Sequence, residues 1–390
     1  MGRLFDVAES TGGSSKAVSL AHTLLARENR ELSNVFLQLT PLCNFKCTMC
    51  YARMDQSDVR KSGGHILGFD EWKYYIDAAA DIGAHTLSLT GGECTIHPDF
   101  KEIYAYAYER GLNLYILTNL SHVDDELFDL WMDKPPSSIS FTVYGSSPET
   151  YERLCFNRDA YYKVYANAER LMSHGFPLQP KFNCVHDNIN DMEEVEKYFR
   201  DRGYKIKIGD TLMRFGNCEH ETIDLEKVEQ EEFREKSLKI WCDRNGKTME
   251  EGREAQRRSL EYDCLQTPKK PVAMKGIGCS AGRTQCHINW RGMMTPCVSL
   301  DSFELDPRVE GFRQCWEKIV QWADDVPRMT ECECCVFRKR CISCLAYHYN
   351  DLGVYGKPSE RLCWKRKYPE KAAAEIRGLV EKGLLVPNEI

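Results

Sequence analysis

Between residues 35 and 210 the chain alternates two rhythms. Short apolar runs, the mark of buried strands, are separated by longer stretches in which apolar residues recur every three or four positions, as on one face of a helix. Val35-Phe36-Leu37-Gln38-Leu39 reads as a first strand. Phe69, Trp72, Ile76 and Ala80 then share a helical face, with Asp70 and Glu71 in the first turn, where negative charge meets the helix dipole, and Gly83 as a stop. Thr86 to Leu89 is a second strand. Pro98 and Asp99 open a helix presenting Phe100, Ile103, Tyr104 and Ala107, closed by Gly111 before the strand Leu114 to Leu117. The pattern continues with a strand from Ser138 to Val143, a helix start at Ser147-Pro148-Glu149, a strand from Lys181 to Val185, a helix from Asp191 to Arg200 and a strand from Tyr204 to Ile208.

Six such units at roughly 30 residues each predict an α/β fold built as a partial, six-stranded (βα)6 TIM-like barrel, since a complete eight-fold barrel takes about 250 residues. The expected division is an N-terminal extension over 1–34, the barrel over 35–210, and bridging helices or linker over 211–275, including a helical run from Leu225 to Trp241 and the polar stretch Glu250 to Arg258. A small cysteine-rich domain follows over 276–365, ordered more by metal than by core burial, and then a C-terminal helix over 366–390. In such sheets ligands gather at the carboxyl ends of the strands. Cys43, Cys47 and Cys50 follow the first strand, Gly91-Gly92-Glu93 the second, Thr118-Asn119 the third and Tyr144-Gly145 the fourth, so all fall on one rim.

Composition narrows the chemistry. At 390 residues there is enough apolar sequence for more than one folded unit, and 19 cysteines are many. The start MGRLFDVAESTGG lacks the basic and apolar regions of a signal peptide, so a reducing cytoplasm and metal ligation are expected in place of a disulfide framework. No apolar run reaches the roughly 18 to 20 residues that span a bilayer, and a net charge of −7 disfavours nucleic acid as a partner. The triplet C-x3-C-x2-C is one thiolate short of a closed tetrahedral zinc site, whereas an iron-sulfur cube held by three thiolates leaves one iron open. A zinc knuckle with a distant fourth ligand is the competing structural explanation.

Cys43-Asn44-Phe45-Lys46-Cys47-Thr48-Met49-Cys50, followed by Gly91-Gly92-Glu93 at the next strand end, resembles the signature of the radical S-adenosylmethionine (SAM) enzymes. The resemblance implies a 4Fe-4S cluster on Cys43, Cys47 and Cys50 whose open iron binds SAM. It also implies a glycine turn at Gly91, Gly92 and Glu93 that lets backbone approach the methionine amino group. Met49 replaces the usual aromatic residue and Cys94 the usual proline. The same resemblance places Thr118 and Asn119 near the ribose and makes Thr142, Lys181 and Asn183 further SAM-binding candidates. Cys94 beside the glycine turn is the candidate hydrogen-atom donor to a substrate radical, with Cys184 and Cys218 as weaker ones and a buried packing role as the alternative for each.

Cys279, Cys297, Cys332, Cys335, Cys341, Cys344 and Cys363 resemble the SPASM extension of that superfamily, which carries two auxiliary 4Fe-4S clusters. By its pattern one cluster takes Cys279, Cys297 and Cys344, with Cys286 as a possible further ligand, and the other takes Cys332, Cys335, Cys341 and Cys363, three clusters in all. A zinc ribbon from Cys332, Cys335, Cys341 and Cys344 would leave the other cysteines unused. The resemblance implies reductive cleavage of SAM to a 5′-deoxyadenosyl radical and hydrogen abstraction from a substrate. The expected substrate is a ribosomal peptide or protein that is crosslinked, thioether-bridged or epimerised, with a flavodoxin- or ferredoxin-type reductant. Only 42 residues precede Cys43, fewer than a leader-binding module takes, so a separate leader-binding protein or recognition by core sequence is expected. Val298 stands where the sulfatase-maturing branch has an acidic base. The alternatives are radical oxidation of a small-molecule or cofactor precursor and, from another class, a non-catalytic iron-sulfur electron carrier or zinc-binding scaffold.

Overall fold

A computed structural model describes residues 28–210, 228–268, 270, 276–300, 302–341 and 344–385. The six expected strands are present: β1 (Asn34–Gln38), β2 (Thr86–Thr90), β3 (Asn113–Thr118), β4 (Ser138–Thr142), β5 (Leu178–Asn183) and β6 (Lys207–Gly209). They pair in parallel in the order β6-β5-β4-β3-β2-β1. Because every crossover steps the same way and parallel crossovers are right-handed, all the connecting helices fall on one face of the sheet. The other face is left to curl around a central space, which is the partial-barrel arrangement.

The strand sequences obey this division. In register across the sheet, Val35, Leu37, Leu87, Leu89, Leu114, Ile116, Ile139, Phe141 and Phe182 are all buried on the helix-covered face. The alternate positions include Gln38, Thr90, Ser140, Thr142, Gln179, Lys181 and Lys207 on the inner face. The helix-covered face packs against α2 (Phe69–Asp81), α3 (Phe100–Glu109), α4 (Asp125–Asp133), α5 (Pro148–Cys155), α6 (Ala160–Ser173) and α7 (Met192–Asp201), behind a short α1 (Gln56–Lys61). Helix starts follow local chemistry. Ser147 accepts from the Thr150 amide at 3.2 Å with Pro148 in the first turn, and the Asp124 carboxylate accepts from the Leu127 amide at 2.8 Å.

The bridging region contains two long helices, α8 (Gln230–Asn245) and α9 (Met249–Gln266), and the polar stretch Glu250 to Arg258 lies within α9, which opens with a Thr248/Glu251 capping box. The part of the Leu225 to Trp241 run before residue 228 lies outside the described residues. The cysteine-rich segment, in turn, is not a separate unit ordered by metal alone. Its β7 (Gln285–Ile288) joins the sheet in parallel at the free edge of β1, and β8 (Met294–Thr295) adds antiparallel to β7. α10 (Pro307–Glu310) and α11 (Phe312–Asp325) follow, and Phe312, Cys315, Trp316 and Ile319 lie in the main core.

The seam is closely fitted. The Thr284 carbonyl accepts from the Ser33 and Asn34 amides at 2.8 and 3.0 Å, and the Tyr75 hydroxyl donates to the Gly292 carbonyl at 3.0 Å. Gly292 has φ +82, and a Cβ there would stand 2.2 Å from the Tyr75 hydroxyl. The remainder comprises α12 (Thr330–Glu333), α13 (Leu345–Leu352), α14 (Trp364–Lys367) and α15 (Pro369–Glu381), the last within the expected C-terminal helix. No helix among the described residues is long and apolar enough to cross a membrane.

Gly292→Ala should cost about 1–3 kcal/mol, since it combines left-handed strain with overpacking. The expected readout is a lower urea midpoint at unchanged slope for the barrel's unfolding. An unchanged midpoint would mean that the cysteine-rich segment docks without supporting the barrel.

Candidate functional site

The rim inferred from sequence is assembled around one carboxylate. Glu93 is fully buried at the end of β2. Its Oε1 accepts from the Thr95 amide (3.1 Å), the Thr95 hydroxyl (2.7 Å) and the Thr118 hydroxyl (2.7 Å), and its Oε2 from the Asn119 amide (2.5 Å). Its own amide donates to the Leu42 carbonyl at 2.8 Å. Glu93 therefore joins the ends of β1, β2 and β3. Thr118 and Asn119 hold that carboxylate, a structural task that sequence reasoning did not assign to them.

Gly91 and Gly92 serve the same joint. A Cβ on Gly91 would lie 2.6 Å from the Thr40 carbonyl oxygen, and one on Gly92 only 2.4 Å from that of Leu42 and 2.6 Å from that of Pro41. The Gly92 amide donates to the Thr40 carbonyl at 2.7 Å. The expectation that these glycines admit a ligand thus gains a nearer cause. They let the β2 turn lie directly on the backbone that leads into Cys43.

Two thiols of the triplet have N–H donors aimed at them, and the third stands beside a phenol. The Phe45 amide reaches Cys43 Sγ at 3.4 Å and Asn119 Nδ2 reaches it at 3.8 Å. The Arg53 amide reaches Cys50 Sγ at 3.3 Å, and Cys47 Sγ lies 3.2 Å from the Tyr144 hydroxyl. Asn119 is set by its neighbours: its Nδ2 donates to Asn44 Oδ1 at 2.8 Å and its Oδ1 accepts from the Ser121 hydroxyl at 2.7 Å. Burial first, then nearby negative groups that include Glu93, pushes Cys43 up to about 12, while Cys47 is held below the ordinary thiol range by a hydrogen bond from Cys155 and another from Tyr144. A buried thiol of that kind ionises when a metal supplies positive charge, and N–H donors stabilise the resulting sulfur ligand. The donor set therefore fits an iron-sulfur cluster held by Cys43, Cys47 and Cys50.

The later cysteines form two further groups. Burial, followed by the charges of Cys344 and Cys279, pushes Cys297 up to about 12, which puts these three together. Cys332 is likewise raised to about 12 by burial and then by Cys363, Cys335 and Cys341. Those four thiols line a cavity of about 560 Å³, and the Trp364 amide donates to Cys341 Sγ at 3.2 Å. Cys334 lines the same cavity. No three His, Cys, Asp or Glu side chains among the described residues converge closely enough to hold a single metal ion. Tyr51 feels both Cys50 and Cys297, so the first and second groups adjoin.

Three expected residues stand elsewhere. Cys286 is a fully buried β7 position opposite Val35, near Cys315 in the barrel core, so the strand period turns it away from Cys279 and Cys297. Cys94 is fully buried and its thiol donates to the Leu117 carbonyl at 3.4 Å, a packing position closed to a substrate radical. Cys184 is buried too, on the helix-covered side. Cys218 lies outside the described residues. Thr142 and Lys181 are neighbours on the inner face, and Asn183 is exposed at the end of β5. Lys181 is half-buried; desolvation, then the charge of Lys207 beside it in register, lowers its pKa. None of the strands of the sheet contains Asp or Glu. Cys155 and Tyr144, the latter noted in the sequence only as a rim position, both touch Cys47.

Glu93→Gln would set amide hydrogens against groups that already donate, leaving buried donors unmatched at a cost of about 1–3 kcal/mol. Chemical denaturation of the variant should show that loss, together with weaker SAM binding by equilibrium dialysis.

Comparisons with known proteins agree with this geometry. The profile of the Radical SAM superfamily matches residues 37–202. An AdoMet-dependent heme synthase of Methanosarcina barkeri is 24% identical over 336 residues, covering 82% of this chain and 92% of the relative. A GTP 3′,8-cyclase of Mannheimia succiniciproducens is 28% identical over 193 residues, covering 49% of this chain and 56% of the relative. Among solved structures, Streptococcus suis SuiB bound to S-adenosylmethionine superposes with a TM-score of 0.60 at 12% identity, over 85% of this chain and 78% of SuiB. The anSMEcpe structure with bound AdoMet and Kp18Cys peptide gives a TM-score of 0.57 at 14% identity, over 90% of this chain and 99% of that one. At such identities the likeness is one of fold. Strands, cysteine loop and glycine turn, taken with the profile match, identify residues 37–202 as a radical SAM domain.

Proposed function

We propose that this chain is a radical SAM enzyme with two auxiliary iron-sulfur clusters and that it removes a hydrogen atom from a polypeptide substrate. The observation that carries the reading is the gathering of cysteines from distant parts of the sequence into three groups: Cys43, Cys47 and Cys50; Cys279, Cys297 and Cys344; and Cys332, Cys335, Cys341 and Cys363. Cys43, Cys47 and Cys50 would hold a 4Fe-4S cluster, which would supply the electron for reductive cleavage of SAM. The chain's own contribution is position. Glu93, Gly91 and Gly92 fix the loop that carries the thiols, Thr142 and Lys181 line the inner face ahead of it, and the sheet shuts solvent out from behind.

The fold likeness to SuiB, solved with the precursor peptide SuiA, and to anSMEcpe, solved with the Kp18Cys peptide, supports a peptide substrate. A second reading, a small-molecule substrate, is favoured by the heme synthase relation, which extends over nearly that whole relative. Under either reading the inner face suits a substrate with an anionic group. It presents Lys181 and Lys207 side by side, and the charge that Lys181 feels is that of Lys207, with no carboxylate offsetting it among the described residues.

Anaerobically reconstituted protein, reduced in the presence of SAM, is expected to form 5′-deoxyadenosine, and Cys43→Ala to form none; equal yields from both would overturn the radical reading. Iron analysis should give about twelve atoms per chain for three four-iron clusters, falling to about eight in Cys332→Ser. To separate the substrates, size-fractionated host extract is added and nucleoside formation followed. Stimulation abolished by prior protease treatment supports the peptide reading, and stimulation by a protease-resistant small fraction supports the second.

A further inference from the structure

Of the three thiols that would hold the SAM-binding cluster, two receive backbone N–H groups, as the local turn of a cysteine loop readily supplies. Cys47 is different. Outside the loop the phenol of Tyr144 stands 3.2 Å from its Sγ. As a free thiol Cys47 can donate to that oxygen; as a thiolate on iron it has no proton, and the phenol must then donate to sulfur.

The hydroxyl is held from several sides. The Tyr144 ring meets Phe45 edge-on at 6.0 Å between centroids and Tyr151 at 5.6 Å. Its amide donates to the Tyr151 hydroxyl at 3.4 Å, and its carbonyl accepts from Asn188 Nδ2 at 2.9 Å. On the other side the cysteine loop is pinned to the end of α5, where the Lys46 amide donates to the Cys155 carbonyl at 3.2 Å and the Thr48 amide to the Leu154 carbonyl at 3.0 Å. Phenol and sulfur thus belong to different elements, each fixed, and their contact is no accident of a loose side chain. Cys155 also touches Cys47, but S–H is a weak donor beside a phenol O–H.

We propose that Tyr144 sets the reduction potential of the cluster on Cys43, Cys47 and Cys50 by donating its phenolic hydrogen to the Cys47 thiolate. This rests on the radical SAM assignment and adds a residue that neither the cysteine motif nor the glycine turn names. A donor to a cluster sulfur favours the more negative, reduced state, and a charge-assisted hydrogen bond in a buried site is among the stronger ones. Tyr144 therefore makes the cluster easier to reduce, at some expense of its reducing strength toward SAM. It is a positioning and tuning residue and forms no bond to substrate.

The test is an EPR-monitored redox titration of the reconstituted protein. Tyr144→Phe should make the cluster about tenfold harder to reduce at a fixed potential, a fall of about 59 mV for one electron. Because loss of a hydroxyl can also disturb packing, a second variant carries difluorotyrosine at position 144. Its more acidic phenol is a better donor and should move the potential upward, the opposite sign. Cys155→Ala should move it less than Tyr144→Phe. Shifts of the same sign in the phenylalanine and difluorotyrosine proteins, no shift in either, or a larger effect from Cys155→Ala would overturn the proposal. A wild-type protein whose EPR signal does not respond to SAM would instead overturn the radical SAM reading itself, so the two failures are distinguishable.

Discussion

A carboxylate removed from water is costly unless every lone pair is matched, and at Glu93 the matching is what builds the site. Its partners are the Thr95 amide and hydroxyl, the Thr118 hydroxyl and the Asn119 amide, while its own amide reaches the Leu42 carbonyl. These groups belong to the ends of three adjacent strands. None of them can shift without leaving a buried charge short of a donor, so the ends of β1, β2 and β3 are fixed relative to one another. Because Asn119 also faces Cys43 and Asn44, the same arrangement sets the cysteine loop.

Around that joint the sheet separates two kinds of work. Its helix-covered face is mostly apolar, with Thr118 beside Phe141 turned to Glu93, and supplies the rigidity. Its inner face is polar, free of acidic residues and basic at β5 and β6, in a chain whose overall charge is −7. Among the described residues the strands carry no Asp or Glu, and Lys181 and Lys207 stand together on the inner face. The cysteine-rich segment is built onto this body through β7 and α11, and Tyr51, next to Cys50, also feels the charge of Cys297. An extension that shares the barrel's sheet and core can hold its thiols at a fixed separation from the first group.

Much of this was legible in the sequence because strand and helix periods differ and because rims collect functional residues. The starts of β1 to β4 follow from run length and period, whereas the grouping of the later cysteines is implied by the SPASM resemblance. The starts of β5 and β6 were placed several residues off. Pro180, which cannot donate to a ladder, sits inside β5, where β6 pairs only from Lys181 onward. β7 escaped notice because Gln285-Cys286-His287-Ile288 is short and was read as metal-binding sequence; its partner, the free edge of β1, lies some 250 residues earlier. Cys286, within the cysteine-rich segment, reads as a ligand and Cys94, beside the glycine turn, as a hydrogen-atom donor, whereas strand register and core contact make them packing residues. Tyr144 and Cys155 carry no spacing signal toward Cys47, since their proximity arises from the docking of α5 on the cysteine loop.

The distance between β1 and β7 has a consequence for how the protein is made. β1 acquires its second neighbour only after residue 288 has left the ribosome, about 250 residues after β1 itself. At roughly 5–20 residues per second that is an interval of tens of seconds. During it, Val35-Phe36-Leu37 presents an unpaired, apolar strand edge of the kind that recruits other chains. The three thiols next to that edge are meanwhile already synthesised. Nascent chains therefore pass through a stage in which an open strand edge and the cysteine loop are neighbours, and β7 later covers that edge.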